Sequence, residues 1–161
     1  MAARQRTLLA FGIDANVDSS FFKNAAEGGM AEVDAGKLAQ QKGSSPAVKE
    51  FGAMMVKDHS AANALLQSIA AGQSVKLPTS ASVMQMASQK ELQMSSGASF
   101  DKSYIKDQIK AHEDTMNLFK KEIASGKDQQ ARDFASSTLP TVQAHLVRIK
   151  QIAATAGIAA Y

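Results

Sequence analysis

The residues best suited to chemistry in this chain are its three histidines, His59, His112 and His145. Apolar residues recur around each of them at steps of three and four, which predicts that each histidine lies on the buried side of a different long helix. Neutral imidazole is a ligand for zinc, iron and copper. Three imidazoles that met in a core would therefore form a metal site.

The three histidines are also predicted to lie at one height. With helices at about residues 47–71, 101–125 and 129–157, each histidine falls within about two residues, or roughly 3 Å of rise, of the middle of its helix. The matching level on the preceding helix is near residue 30, where small residues around Glu32 leave room for a carboxylate. We therefore expect a divalent-metal site made by His59, His112, His145 and Glu32, with zinc or iron as the first choices.

Methionine offers a softer alternative. Met55 stands one helical turn before His59, and Met116 stands one turn after His112. Thioether and imidazole together suit Cu(I). Because methionine is above all a pliable core residue, copper ranks behind zinc and iron.

A dinuclear iron oxidase is disfavoured by the residues that precede the histidines. Such a centre needs two Glu-x-x-His pairs, whereas the residues three positions before the histidines are Val56, Ile109 and Val142. Phosphate-binding loops, HExxH motifs and nucleophile elbows are also absent from the sequence. The absence of these motifs favours a protein that is not an enzyme, although it does not establish this.

Four long helices are needed to position these residues, and capping residues, glycines and prolines predict where the helices begin and end. The first is expected from Asp18 or Ser19, as N-cap, to Gly43, and the second from Pro46 to about Gly72. The third is expected from Phe100 or Asp101 to Ser125. The fourth is expected from about residue 128 to Gly157, kinked or split at Pro140.

The connections predict how the helices are arranged. Two short turns alternate with a long segment, residues 73–99, which holds one short helix at 83–94. This rhythm predicts an all-α, ferritin-like four-helix bundle of two antiparallel hairpins joined by a long crossover. Residues 18–157 are expected to form one domain, preceded by an extension at 1–17.

Composition and charge exclude several classes of partner and site. The net charge of +3 is small and the 18 Lys and Arg residues are dispersed, so nucleic acid is not expected as a partner. No cysteine is present, which excludes disulfides and thiolate sites. No apolar run approaches the length of a transmembrane segment. A homodimer is compatible with the sequence, although no helix face is apolar enough to require one.

Residues 1–17 allow two interpretations. Arg4 and Arg6 followed by the apolar stretch 7–13 resemble a shortened export signal, but a clear cleavage site is missing. An ordinary N-terminal helix or a tail is the alternative.

Several segments resemble one bacterial family of ferritin-like proteins of unknown function, often described as exported or membrane proteins. The similarity covers about residues 20–150. It is carried by the following motifs: Phe22 to Val33, Gly36 to Ala39, Ser45 to Lys49 with Phe51, Met55 to His59, His112, Phe119, Gly126, Leu139-Pro140 and His145-Leu146. The resemblance implies a ferritin-like bundle, export to the periplasm and no settled activity.

Two functions follow from these observations. The first is a metal-binding bundle protein, expected in the periplasm, although a cytoplasmic location is not excluded. The second is a structural or interaction protein, in which the histidines form a buried polar layer that fixes the register of the helices. Its contact surface would be the crossover, which carries Met84, Met86 and Met94.

Overall fold

The computed structural model describes residues 17–159, which fold into five helices and contain no strand apart from one isolated bridge between Gly43 and Gly97. The helices are α1 (Asp18–Lys42), α2 (Pro46–Gly72), α3 (Val83–Met94), α4 (Gly97–Ser125) and α5 (Gln129–Thr155). The all-helical class and the short helix at 83–94 are confirmed. Residues 1–16, which make up nearly all of the predicted N-terminal extension, lie outside the described range.

Most helix ends follow from capping side chains. Ser45 accepts a hydrogen bond from the backbone N–H of Val48 at 3.2 Å, and Pro46 occupies the first position of α2, as predicted. Ser82 and Gln85 form a capping box at the start of α3. Local sequence therefore fixes where α2 and α3 begin.

Three details of the helix ends were predicted wrongly. The N-cap of α1 is Val17 rather than Asp18 or Ser19, because the Asp18 carboxylate is buried and engaged elsewhere. Helix α4 begins at Gly97, one turn earlier than expected, and α5 ends at Thr155 rather than at Gly157. Helix α5 also continues unbroken through Pro140, so the alternative of two separate helices is excluded.

A carboxylate from one hairpin holds the turn of the other at each end of the bundle. Asp101 of α4 accepts hydrogen bonds from the backbone N–H groups of Ser44 and Ser45, at 2.8 and 2.9 Å. Asp18 of α1 accepts hydrogen bonds from the backbone N–H groups of Lys127 and Asp128, at 3.1 and 3.3 Å. These contacts place the start of α4 beside the end of α1, and the start of α1 beside the end of α4.

Helices α1 and α2 approach each other closely where Gly36 faces Gly52. A β-carbon added to Gly52 would lie 2.6 Å from the carbonyl oxygen of Gly36 and 2.7 Å from the β-carbon of Ala39. Gly29 also meets α2, at the side chain of Asn63, whereas the neighbouring Gly28 has open space around it. The absence of side chains at Gly36 and Gly52 thus sets the spacing of the first hairpin.

The core consists of two hydrophobic clusters. One contains Phe51, Met55, Tyr104, Ile109 and Ile149 among others, and the other contains Phe21, Leu66, Phe119, Phe134 and Val142 among others. On α1, α2, α4 and α5 the residues between the clusters are buried polar ones, namely Glu32, His59, His112 and His145. A polar layer therefore divides the core at mid-height. In the part of the chain that the structure describes, no helix is long and apolar enough to cross a membrane.

Candidate metal centre

His59, His112 and His145 meet in the polar layer, as the sequence predicts. One ring nitrogen from each lies within 4.8 Å of the others. The ring centroids are 5.9 Å apart for His59 and His112, and 5.4 Å apart for the other two pairs. The side chains are 9%, 1% and 2% exposed, in chain order. Three helices thus bring three imidazoles into one water-poor cluster.

The backbone of α4 fixes the orientation of His112. Its Nδ1 lies 2.8 Å from the carbonyl oxygen of Gln108, one turn earlier. Because a carbonyl can only accept, Nδ1 must carry the proton and donate. Nε2 is then a lone pair, and it is buried without a hydrogen-bond partner among residues 17–159.

A carboxylate fixes the orientation of His145. Its Nε2 lies 2.7 Å from Oδ2 of Asp58, which is the residue before His59 on α2. The Nε2–H group donates to that oxygen, so Nδ1 carries the lone pair. This Nδ1 atom is buried and meets no hydrogen-bonding group within the described range.

His59 completes the cluster from α2. Its Nε2 is buried and has no partner in the described part of the chain. Burial, together with the nearby His112 and His145, lowers the pKa of His59 from 6.5 to about 3. Burial also lowers the pKa of His145, although its hydrogen bond to Asp58 acts in the opposite direction. His59 is therefore neutral at physiological pH, which is the state in which imidazole binds metals.

Phe51 closes one side of the cluster. Its ring meets those of His112 and His145 edge-on, with centroids 6.1 and 6.3 Å apart. The apolar wall keeps water from the imidazoles and fixes their tilt.

Glu32 occupies the predicted layer but is not part of the three-histidine group. Its side chain is 6% exposed and contacts the side-chain amide of Gln108, and burial raises its pKa despite the nearby His112. The sequence placed this carboxylate at the correct height. It did not give the direction of the side chain on α1.

Met55 and Met116 also pack close to this layer. Met55 is fully buried in the cluster around Phe51, and the partly buried Met116 contacts both hydrophobic clusters. Both are core residues in the structure.

Two residues of the site were not singled out as ligands or partners beforehand. Asp58 directly precedes His59 on α2, and its carboxylate accepts the hydrogen bond from His145 on α5. Gln108 orients both His112, through its backbone, and Glu32, through its side chain. The signal for Gln108 was its position four residues before His112, on the same helix face.

Comparison with solved structures identifies three chains of similar fold. The putative secreted protein DUF305 from Streptomyces coelicolor superposes with a TM-score of 0.76 at 10% identity, covering 90% of this chain and 96% of that one. CopM in its Cu(I)-bound form gives 0.70 at 15% identity, covering 84% and 94%. The conserved hypothetical protein rv2844 from Mycobacterium tuberculosis gives 0.66 at 18% identity, covering 84% and 89%. These identities establish a shared helical-bundle fold alone.

Comparison by sequence identifies the family. None of the curated proteins matches the chain with significance. The model of a domain of unknown function, DUF4142, matches residues 10–152, which include all three histidines and Glu32. The chain therefore belongs to the DUF4142 family.

Proposed function

We propose that this protein binds one transition-metal ion through His59, His112 and His145. The observation that carries the proposal is the set of three buried ring nitrogens, Nε2 of His59, Nε2 of His112 and Nδ1 of His145, that have no partner among the described residues. An unsatisfied buried polar atom costs roughly 1–3 kcal/mol. A shared metal ion would satisfy all three nitrogens at once.

The outer contacts of the imidazoles support the same reading. Histidines that bind metals usually donate their second N–H group to a carboxylate or a backbone carbonyl, which fixes the tautomer. His145 donates to Asp58, and His112 donates to the carbonyl of Gln108. Both arrangements direct the remaining lone pair away from these partners.

The spacing requires a modest closure on binding. Zinc–nitrogen bonds of 2.0–2.1 Å place neighbouring nitrogens about 3.3 Å apart in a tetrahedral site, and the ring nitrogens here lie within 4.8 Å of one another. Rotation of the imidazoles that moved each ring nitrogen by roughly 1 Å would suffice. Three protein ligands would leave a fourth position for water or for another side chain.

Zinc or iron is our first choice of ion. Cu(I) is the second, because CopM, a structural neighbour, has been captured with Cu(I) and because Met55 lies one turn from His59. Glu32 remains a predicted fourth ligand. It lies outside the histidine group, so we propose a site that forms without it.

The wider setting of this role is also part of the proposal. We infer a ferritin-like connectivity, with the crossover at 73–96 returning the chain along the bundle, and a binding role rather than catalysis. A periplasmic or exported location is supported by the family resemblance and by the secreted description of the DUF305 neighbour.

A second candidate function rests on the surface of α3. Met84 and Met94 are 82% and 89% exposed, and Met86 is 39% exposed. Exposed methionines are adaptable contact residues, so the alternative of an interaction protein with a buried histidine layer keeps a structural basis. Replacing the three methionines with Gln would abolish partner binding on this reading and leave metal content unchanged.

The test of the metal site is elemental analysis and calorimetric titration of the protein with Zn²⁺, Fe²⁺ and Cu⁺. We expect about one ion per chain in the wild type and none in a variant with all three histidines changed to Ala. Asp58→Asn should bind about 10- to 100-fold more weakly, since it weakens the partner of His145. Glu113→Gln is the matched control, because it removes a carboxylate that also neighbours a histidine in sequence but pairs with Lys150, at 3.3 Å.

Circular dichroism separates loss of the site from loss of the fold. A folded wild type that binds none of the three ions would refute the proposal. Equal affinities of the Asp58 and Glu113 variants would refute the assigned role of Asp58.

A further inference from the structure

A second site is suggested by a cavity of about 660 Å³ between α1, α3 and α4. We call it the α3 cavity. Its lining includes two buried polar side chains, those of Glu32 and Gln108, which are 6% and 3% exposed. Buried apolar residues, Ala35 and Leu92, lie beside them. The volume is within the range of small-molecule sites.

Each of the two buried polar side chains carries an oxygen that lacks a hydrogen-bond partner in the described part of the chain. The side-chain amide of Gln108 donates to the Glu32 carboxylate, so its Oε1 must face another way. This Oε1 and Oε2 of Glu32 are both buried without a hydrogen-bond partner within residues 17–159. Both atoms accept when Glu32 is ionised, so the group that would satisfy them must donate. Burial raises the pKa of Glu32, and a cation at this position would keep the carboxyl group charged.

The charges around the α3 cavity define the ligand further. Glu27, Asp107 and Asp114 also line it, which makes four carboxylates with Glu32. Lys110 is the lysine of the lining, and its ammonium group is held by Asp114 at 2.6 Å. Carboxyl groups thus outnumber the lysine in this lining, and a lining of this composition favours a cation over an anion.

We propose that the α3 cavity binds an organic ammonium ion, an aliphatic primary amine, with its charged group at Glu32 and Gln108. An ammonium group carries three donors and a positive charge, which match two acceptors in a ring of carboxylates. The alkyl chain would lie against Ala35, Leu92 and Leu118, which a bare metal ion would leave uncovered. The site is distinct from the histidine cluster and does not depend on the proposed metal.

The probe for this site is pentylammonium, titrated by calorimetry into the full chain, with pentanol and pentanoate as neutral and anionic analogues. We expect one pentylammonium per chain and no measurable binding of the analogues. Glu32→Gln should weaken binding about 10- to 100-fold, because it removes the charge from the strongest hydrogen bond. The triple histidine-to-Ala variant should bind the amine as the wild type does, so failure of the metal proposal leaves this one testable.

A second variant, which fills the α3 cavity, tests the proposal even if the Glu32→Gln variant fails to fold. Gly28 lines the α3 cavity, and a β-carbon added there meets nothing within 4 Å, so Gly28→Leu should fold and obstruct the cavity. Gly72→Leu is the matched control, since Gly72 has equally open surroundings and does not line the cavity. We expect Gly28→Leu to abolish amine binding and Gly72→Leu to preserve it.

Three results would overturn the inference. One is equal binding of pentylammonium and pentanol, and another is unchanged binding in the Gly28→Leu variant. The third is binding of Mg²⁺ or Ca²⁺, but not the amine, in a manner abolished by Glu32→Gln, which would make the α3 cavity a metal site.

Discussion

The buried state of His59 leads to a quantitative prediction for stability against pH. The folded pKa is about 3, whereas an exposed histidine has a pKa of 6.5. The unfolded chain therefore takes up a proton at His59 below pH 6.5, and the folded chain does not. Since the unfolded state binds more protons, the free energy of unfolding must fall as the pH decreases from 6.5 towards 3.

The size of the effect follows from linkage. One site contributes up to about 1.4 kcal/mol per pH unit. Relative to pH 7.5, the protonation of His59 should lower the free energy of unfolding by about 1 kcal/mol at pH 5.5 and by about 3 kcal/mol at pH 4.5. The side chain is only 9% exposed, so solvent screening reduces these values little.

The assay is urea denaturation of the wild type and His59→Gln at pH 7.5, 5.5 and 4.5, with a chelator present so that metal binding makes no contribution. Glutamine does not titrate in this range, so its curve contains every pH effect except that of His59. We expect the wild type to lose about 2–3 kcal/mol more than the variant between pH 7.5 and 4.5. Parallel curves would mean that His59 takes up its proton at about the same pH in the folded and the unfolded chain, which would refute the conclusion that burial holds this imidazole neutral.

Two further predictions concern residues outside the metal centre. Gly52→Ala should destabilise the protein by about 1–3 kcal/mol, because its methyl group overlaps the Gly36 carbonyl, whereas Gly72→Ala should be neutral or slightly stabilising; thermal unfolding of both variants measures the difference. Burial and the adjacent Asp18 raise the pKa of Glu122 from 4.5 to about 8, so stability should decrease as the pH rises from 4.5 to 8, by up to about 1.4 kcal/mol per unit. Glu122→Gln should remove that slope in urea titrations, and an unchanged slope would contradict the assignment.

Helix periodicity and end signals were sufficient to predict most of the bundle. Helix-end signals at Gly43, Ser45 and Pro46 act through local backbone chemistry. In the structure, α1 ends and α2 begins at these residues. Asp18 was misread because an aspartate before a helix usually caps it. Here it instead holds a turn more than 100 residues away, as its 3.1 Å bond from Lys127 shows. Nothing local distinguishes the two roles.

For the candidate site, the sequence predicted the level of each residue along the bundle but not the direction of every side chain. Helix midpoints were enough to bring the histidines to one level, because rise per residue is nearly constant in helices. The sequence does not give the angular orientation of each helix about its axis with the same accuracy. It therefore could not show that the side chain of Glu32 turns towards Gln108. The α3 cavity also depends on where the crossover lies, which periodicity does not determine.

The tautomers give the strongest reason to prefer a metal centre to a polar layer that only fixes helix register. A register layer is stabilised when each buried donor meets a buried acceptor within the layer. In this layer His145 and His112 send their N–H groups outwards, to Asp58 and to the carbonyl of Gln108. Their other ring nitrogens are left as lone pairs beside Nε2 of His59, which is likewise buried without a partner among the described residues. Two facing lone pairs cannot satisfy each other, and a single N–H group on His59 could satisfy at most one of them. A metal cation would satisfy all three nitrogens at once, and the lowered pKa of His59 keeps its imidazole in the neutral form that binds metals.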